Sequence, residues 1–211
     1  MIKKLGVTAV AATLITIGVS AQAPAGWKQR LDRSTSASDP DAAGTVKFVT
    51  MGNGFHATNP AAAVYWNPAN TATGTYSAKA TFRLVKPSNH TNYYGLVFGG
   101  SELEGAKQNY IYFTVAQDGT WLLKRRDGDA NAPTIAGKTA NAVVKKPGAD
   151  GTSVNDLEVR VQANKIDYVV NGTVVHSTPK TGMTAKTDGV VGIRVNHMLE
   201  VHIDNFAVVK Q

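Results

Sequence analysis

The sequence predicts an all-β protein, an antiparallel two-sheet jelly-roll sandwich of about a dozen strands with little helix. Three observations predict it. In segment after segment, apolar residues alternate with polar ones at period two, the side-chain repeat of a half-buried strand. Tight-turn pairs such as Asp118-Gly119 and Asn171-Gly172 separate those segments. No stretch sustains a helical period, and Gly and Pro punctuate at strand-like intervals.

The chain opens on something other than a strand. Lys3 and Lys4 precede an apolar run from Leu5 to Val19, the n-region and h-region of a secretory signal. The run is shorter than the about 20 strongly apolar residues that a membrane-crossing helix needs, and it ends in small residues. Cleavage is expected after Ala21, because the competing site after Ala23 would place Pro24 just past the cut. Residues 1–21 are therefore expected to be a signal peptide, residues 22–43 an N-terminal segment that is partly loop, and residues 44–211 a single β-sandwich domain. An exported location follows, periplasmic or extracellular, with no transmembrane segment after cleavage.

Within the N-terminal segment, the stretch Arg30-Leu31-Asp32-Arg33 can dock, whereas Ser34 to Ala43 reads as loop. Val46, Phe48 and Thr50 then mark a strand, and Met51-Gly52-Asn53-Gly54-Phe55 turns into a second that ends at Thr58. Ala63 to Trp66 is a third. Ala78, Ala80, Phe82 and Leu84 share one face of the next strand while Lys79, Thr81 and Arg83 take the other. Tyr93 to Gly100 is a more continuous apolar run, as expected of a central strand covered on both sides. Asn109 to Ala116 and Thr120 to Arg126 form a hairpin around Gln117-Asp118-Gly119.

Asp127 to Thr152 reads as a long loop region with one weak strand signal at Ala142 to Val144. Leu157, Val159 and Val161 resume the alternation, followed by Ile166, Tyr168 and Val170. Asn171-Gly172 then makes a two-residue turn of type I′, which needs two positive φ angles, into Val174 to Ser177. Val191, Ile193 and Val195 form the next strand. In the last one, Leu199, Val201 and Ile203 occupy odd positions but Phe206 and Val208 even ones. One face can stay buried only if the strand takes an extra residue, so a bulge is predicted at Asp204-Asn205.

Composition limits function. There is no cysteine, which excludes thiolate catalysis and Cys-ligated metals. Lys and Arg number 22 against 15 acidic residues; without Lys3 and Lys4 the balance is 20 against 15. The cations are dispersed, with clusters only at Lys124-Arg125-Arg126 and Lys145-Lys146, and no nucleic-acid motif accompanies them. The basicity is read as solvation or weak attraction to anionic envelope surfaces.

Several phrases carry a resemblance: Tyr94-Gly95-Leu96-Val97-Phe98, the Asp118-Gly119 hairpin, Asn155 to Val161, Val170-Asn171-Gly172, Gly192-Ile193-Arg194-Val195 and Val201 to Phe206. Together they resemble the concanavalin A-like lectin and glucanase superfamily, in particular its laminin G-like bacterial members. Gly26-Trp27 adds a likeness to exported domains described as 3-keto-disaccharide hydrolase-like. That likeness implies action on an oxidised sugar linkage. The Glu-x-Gln-x-x-Asp phrase of the enzymatic members and the Glu-x-Asp-x-x-Glu strand of related retaining glucanases are both absent here.

Glycoside hydrolysis usually needs two carboxyl groups about 5 to 9.5 Å apart. The close pair in this sequence is Glu102 and Glu104, between Gly99-Gly100 and Gly105, and a solvated turn is the reading preferred for it. Asp127-Gly128-Asp129, Asp39 and Asp41 could offer oxygens to calcium, but loops use the same residues for Asx turns. Asp204 differs, because its bulge would expose backbone carbonyls beside a carboxylate and related sandwiches can hold a structural calcium beside the terminal strand, but a turn-capping Asp is the reading preferred for it. His56, His90, His176, His197 and His202 show no paired spacing, which argues against zinc.

Aromatic residues are the strongest functional signal. Trp66, Tyr94, Tyr110, Tyr112 and Trp121 are candidate sugar-stacking residues, with Arg83, Arg194 and Asn196 as hydroxyl-binding partners on the same surface. Core packing is the competing role for each aromatic. The sequence therefore favours a non-catalytic module binding a carbohydrate or glycoconjugate. A glycoside or keto-glycoside hydrolase or lyase is the alternative, and an envelope protein binding another protein through a sheet edge or face is the third reading.

Overall fold

The computed structural model describes residues 24–34 and 36–211; the expected signal peptide and its cleavage point lie outside them. Fourteen strands account for the architecture. In chain order they are β1 (Lys28–Leu31), β2 (Lys47–Met51), β3 (Gly54–Asn59), β4 (Ala63–Ala72), β5 (Tyr76–Lys86), β6 (Tyr93–Ser101) and β7 (Asn109–Ala116). There follow β8 (Thr120–Asp127), β9 (Thr134–Ala140), β10 (Ser153–Val161), β11 (Lys165–Val170), β12 (Thr173–Pro179), β13 (Gly189–Val195) and β14 (Leu199–Lys210). A single 3-10 turn, Gly182–Thr184, is the helical content of the described residues.

The strands form two seven-stranded sheets. The first has the order β1-β4-β13-β6-β7-β8-β9 and the second β12-β11-β10-β5-β14-β3-β2. The two central strands, β6 and β5, are the ones whose apolar patterning is clearest in the sequence. Because side chains alternate, each sheet turns one row inward: Tyr94, Leu96 and Phe98 from β6, Ile111, Phe113 and Val115 from β7, facing Phe82, Leu84, Leu157 and Tyr168. Rings meet across the layers, Phe113 lying 5.2 Å and Phe98 6.3 Å from Tyr168, and Phe82 5.9 Å from Tyr94.

The predicted bulge is present. On β14, Asp204 pairs with Thr81 and Ala207 with Lys79, so three steps on one strand oppose two on the other. Asn205 takes φ 54° to accommodate the extra residue. The shift returns Phe206 to the core side, where its ring lies 5.4 Å from Trp27. Trp27 also meets Phe48 at 5.2 Å and Phe55 at 4.6 Å, closing one end of the sandwich with the residues just before β1. The Asn171-Gly172 turn has φ 50° and 81°, as type I′ requires.

One expectation needs correction. The region Asp127 to Thr152 contains a strand, β9, along the edge of the first sheet, and it lies before the weak signal at Ala142 to Val144. Its residues are mostly exposed and its pairing with β8 slips twice, so no alternation marks it. Beyond it, buried Asn155 fastens the loop by accepting from the backbone N–H of Lys145 at 2.8 Å and donating to its carbonyl at 3.0 Å.

Candidate functional site

The face of the first sheet turned away from the second carries the chemistry. Alternation along β4, β13, β6, β7 and β8 sends Val64, Trp66, Arg194, Val97, Tyr110, Tyr112, Lys124 and Arg126 to that side. Val64, Trp66, Val97, Tyr110 and Tyr112 form an apolar cluster separate from the inter-sheet core. Register then sets the cations beside the tyrosines: Lys124 is directly opposite Tyr112, and Arg126 opposite Tyr110.

Asp32, just past β1, organises these cations. Its Oδ2 accepts from Arg194 Nη2 at 2.6 Å and also from Arg126. Arg194 Nη1 donates to the Tyr110 hydroxyl at 2.9 Å and Nε to Asn196 Oδ1 at 3.2 Å, while the guanidinium stands 4.9 Å from the Tyr112 ring centroid. Burial would raise the Asp32 pKa, but the charges and hydrogen bonds of Arg194 and Arg126 outweigh it and hold the carboxyl below its usual value. Burial pushes the Lys124 ammonium down, and the neighbouring Arg194, Arg126 and Lys138 push the same way. Tyr112 is raised, chiefly by burial. The face thus gathers Lys124, Arg126 and Arg194 around the one carboxylate of Asp32.

The connection between β6 and β7 closes over part of this floor. Leu103 packs into the aromatic cluster. Just after it, Glu104 pairs with Lys28, and Arg30 donates to the Gly105 carbonyl. Arg30 also pairs with Asp129 at 2.6 Å, an oxygen that Gln108 Nε2 reaches at 2.8 Å.

The residues singled out in the sequence separate into groups. Trp66, Tyr110, Tyr112 and Arg194 come together on the floor, with Asn196 at its edge. Tyr94 and Trp121 do not join them: both point into the inter-sheet core, where Trp121 stacks on His176 at 5.0 Å. Arg83 is on the outer face of the second sheet, opposite His202, so it shares no surface with Arg194. The reason is parity in one case and sheet assignment in the other, and only the first is visible in a linear pattern. Glu102 and Glu104 lie in the exposed loop, Glu104 serving as a tether to Lys28. Asp204 has His202 Nε2 3.2 Å away, a nitrogen partner and not the oxygen-rich cage that calcium takes.

Asp32, Lys124 and Arg126 join the site although no site motif marks them in the sequence. Two of them carry a signal: in the hairpin around Asp118-Gly119, Lys124 and Arg126 must share a face with Tyr112 and Tyr110. A second group converges elsewhere. Asp39, His90 and His197 bring one oxygen and two nitrogens together at the end of the sandwich, although no pair among them has metal-ligand spacing in sequence.

No family model and no curated protein matches the chain. Solved structures do. Carbohydrate binding module CBM66 from Bacillus subtilis superposes with a TM-score of 0.61 at 8% identity, covering 88% of this chain and 96% of that one. The chain has the concanavalin A-like jelly-roll fold. The same sandwich occurs in a laminarinase from Flavobacterium sp. UMI-01, with a TM-score of 0.57, 10% identity and coverage of 88% and 93%. The carbohydrate recognition domain of Emp47p gives 0.52 at 10% identity, with 89% of each chain covered. At these identities the concanavalin A-like sandwich is shared as a fold. No helix among the described residues is long and apolar enough to cross a membrane.

Proposed function

We propose that this protein is a non-catalytic carbohydrate-binding module whose ligand lies on the outer face of the first sheet, and that the preferred ligand is an acidic glycan. The observation that carries the reading is the convergence of Lys124, Arg126 and Arg194 with Trp66, Tyr110 and Tyr112 around the single carboxylate of Asp32. Trp66, Tyr110 and Tyr112 are buried, so their rings form the packed base of the face, and the part-exposed Lys124 with the cationic surplus beneath it is what suits uronate or sulfate groups. The carbohydrate-binding module and carbohydrate recognition domain among the similar structures support the ligand class.

Catalysis by paired carboxyls finds no support on this floor. A general acid needs a raised pKa, and Asp32 is held low by two guanidinium groups.

Calorimetric titration with polyuronate and with neutral β-glucan tests the proposal. Polyuronate is expected to bind more tightly, with at least tenfold loss in Tyr112→Ala and Lys124→Ala and none in Arg83→Ala. Equal binding of both polymers, unaffected by Lys124→Ala, would overturn it. Appearance of unsaturated uronide absorbance would replace binding with lyase activity. Export belongs to the same proposal on the Lys3-Lys4 leader, and N-terminal sequencing of the secreted product is expected to begin at Gln22.

A further inference from the structure

Three loops distant in sequence meet at one end of the sandwich. Asp39 comes from the segment between β1 and β2, His90 from the β5–β6 connection and His197 from the β13–β14 turn. His90 Nε2 lies 2.9 Å from Asp39 Oδ1, His197 Nε2 lies 3.2 Å from the same oxygen, and the two nitrogens are 3.2 Å apart. The three atoms therefore make a nearly equilateral triangle.

The opposite nitrogens decide what the triangle can hold. His197 Nδ1 faces Asp41 Oδ1 at 3.0 Å, and His90 Nδ1 faces Asn89 Oδ1 at 2.8 Å. Both oxygens are acceptors, so each Nδ1 carries the ring proton and each neutral ring presents a lone pair at Nε2. Two lone pairs and a carboxylate oxygen then converge; the Asn92 amide can donate to His90 Nε2 at 3.0 Å, which leaves His197 Nε2 and Asp39 Oδ1 facing each other at 3.2 Å without a hydrogen between them. A cation, or an added ring proton, resolves that arrangement.

We propose that Asp39, His90 and His197 bind a zinc ion. Zinc bonds of about 2.0 to 2.1 Å in tetrahedral array set neighbouring ligand atoms about 3.3 Å apart, within a few tenths of an ångström of the separations here. Imidazole nitrogens suit zinc, whereas calcium takes oxygen ligands at longer range. The His197–Asp41 contact is the carboxylate–histidine pairing that orients a zinc ligand. Asn92 Nδ2 stands 3.0 Å from His90 Nε2, and turning that amide over presents its carbonyl oxygen instead. That oxygen or a water supplies the fourth position.

The His197 side chain is 6% exposed and that of Asp39 50%, so the site is anchored in the fold and open to solvent on one side. Its effect would be structural. It would clamp the segment that runs from β1 through Asp32 to the turn before β14. Zinc titrated into the chelator-treated purified protein is expected to bind at one ion per chain with Kd below about 10 μM and to raise Tm. Cobalt in its place is expected to give the intense visible bands of a tetrahedral centre.

His90→Ala, on a more exposed loop, and His197→Ala are each expected to weaken zinc at least tenfold, and Asp41→Asn by about 10- to 100-fold. His202→Gln, remote from the cluster, is expected to bind zinc as the parent does. Absence of saturable one-to-one zinc binding would overturn the proposal. So would zinc binding that survives His90→Ala in protein of unchanged circular dichroism.

Discussion

Asp32 Oδ2 accepts a hydrogen bond from Arg194 at 2.6 Å across 162 residues of sequence, and Arg126 donates to the same oxygen. Removing the carboxylate strands a buried guanidinium with no counter-charge. Asp32→Ala is therefore expected to lower unfolding stability by about 3 to 5 kcal/mol, measured by urea denaturation near neutral pH. A loss below about 1 kcal/mol would mean that water takes the place of the carboxylate. Because folding lowers the Asp32 pKa, its stabilisation is present above the ordinary value of 3.8 and is lost as pH falls through the lowered folded value. The variant should show a flatter acid limb.

The bulge at Asn205 sets which side Phe206 and Val208 take. Asn205 is the extra residue, so deleting it would restore regular alternation and keep both side chains on the core side. The expected loss is below about 1 kcal/mol, with Trp27 emission unchanged because Phe206 stays beside it. A loss of about 2 to 4 kcal/mol with a red shift, as for exposing two part-buried apolar side chains, would overturn this account of the bulge.

Gly172 tests the hairpin turn. Its φ is 81°, and a Cβ there would meet nothing within 4 Å, so Gly172→Ala isolates backbone strain. About 1 to 2 kcal/mol is expected from thermal or chemical unfolding. Asn171→Ala should cost more, because Asn171 Nδ2 also donates to the Val143 carbonyl and to Asn155 Oδ1. The reverse order would overturn this account of the turn.

His176 lies against the rings of Trp121 and Tyr168, and burial lowers its pKa below 6.5. The neutral form is thus favoured on folding. As pH falls through 6.5 the unfolded chain takes up the proton first, so stability declines toward the lowered folded value and levels off below it. Denaturation midpoints at pH 7.5 and 5.5 should differ less in His176→Gln than in the parent. An equal difference in both would assign the pH dependence to other groups.

Much of the fold is legible because its determinants are local. Ala78, Ala80, Phe82 and Leu84 reveal an inward row through a repeat of two, Asn171-Gly172 reveals a turn through positive φ, and the switch from Ile203 to Phe206 reveals a bulge through broken parity. Strand β9 lacked such a mark. Its exposed residues answer to pairing with β8 rather than to burial, and Lys138 holds φ 46°.

By itself, then, the sequence determined the fold class and the strands that carry regular alternation, with the face of each, because backbone alternation and turn chemistry act over a few residues; β9 carries no such mark. Only the tertiary structure decided which faces meet. It separated Arg83 from Arg194 by placing them on different sheets and joined Asp32 to Arg194. It also brought His90 within 3.2 Å of His197 across 107 residues. Such contacts depend on sheet order and on where loops return, and no repeat in the linear pattern encodes either.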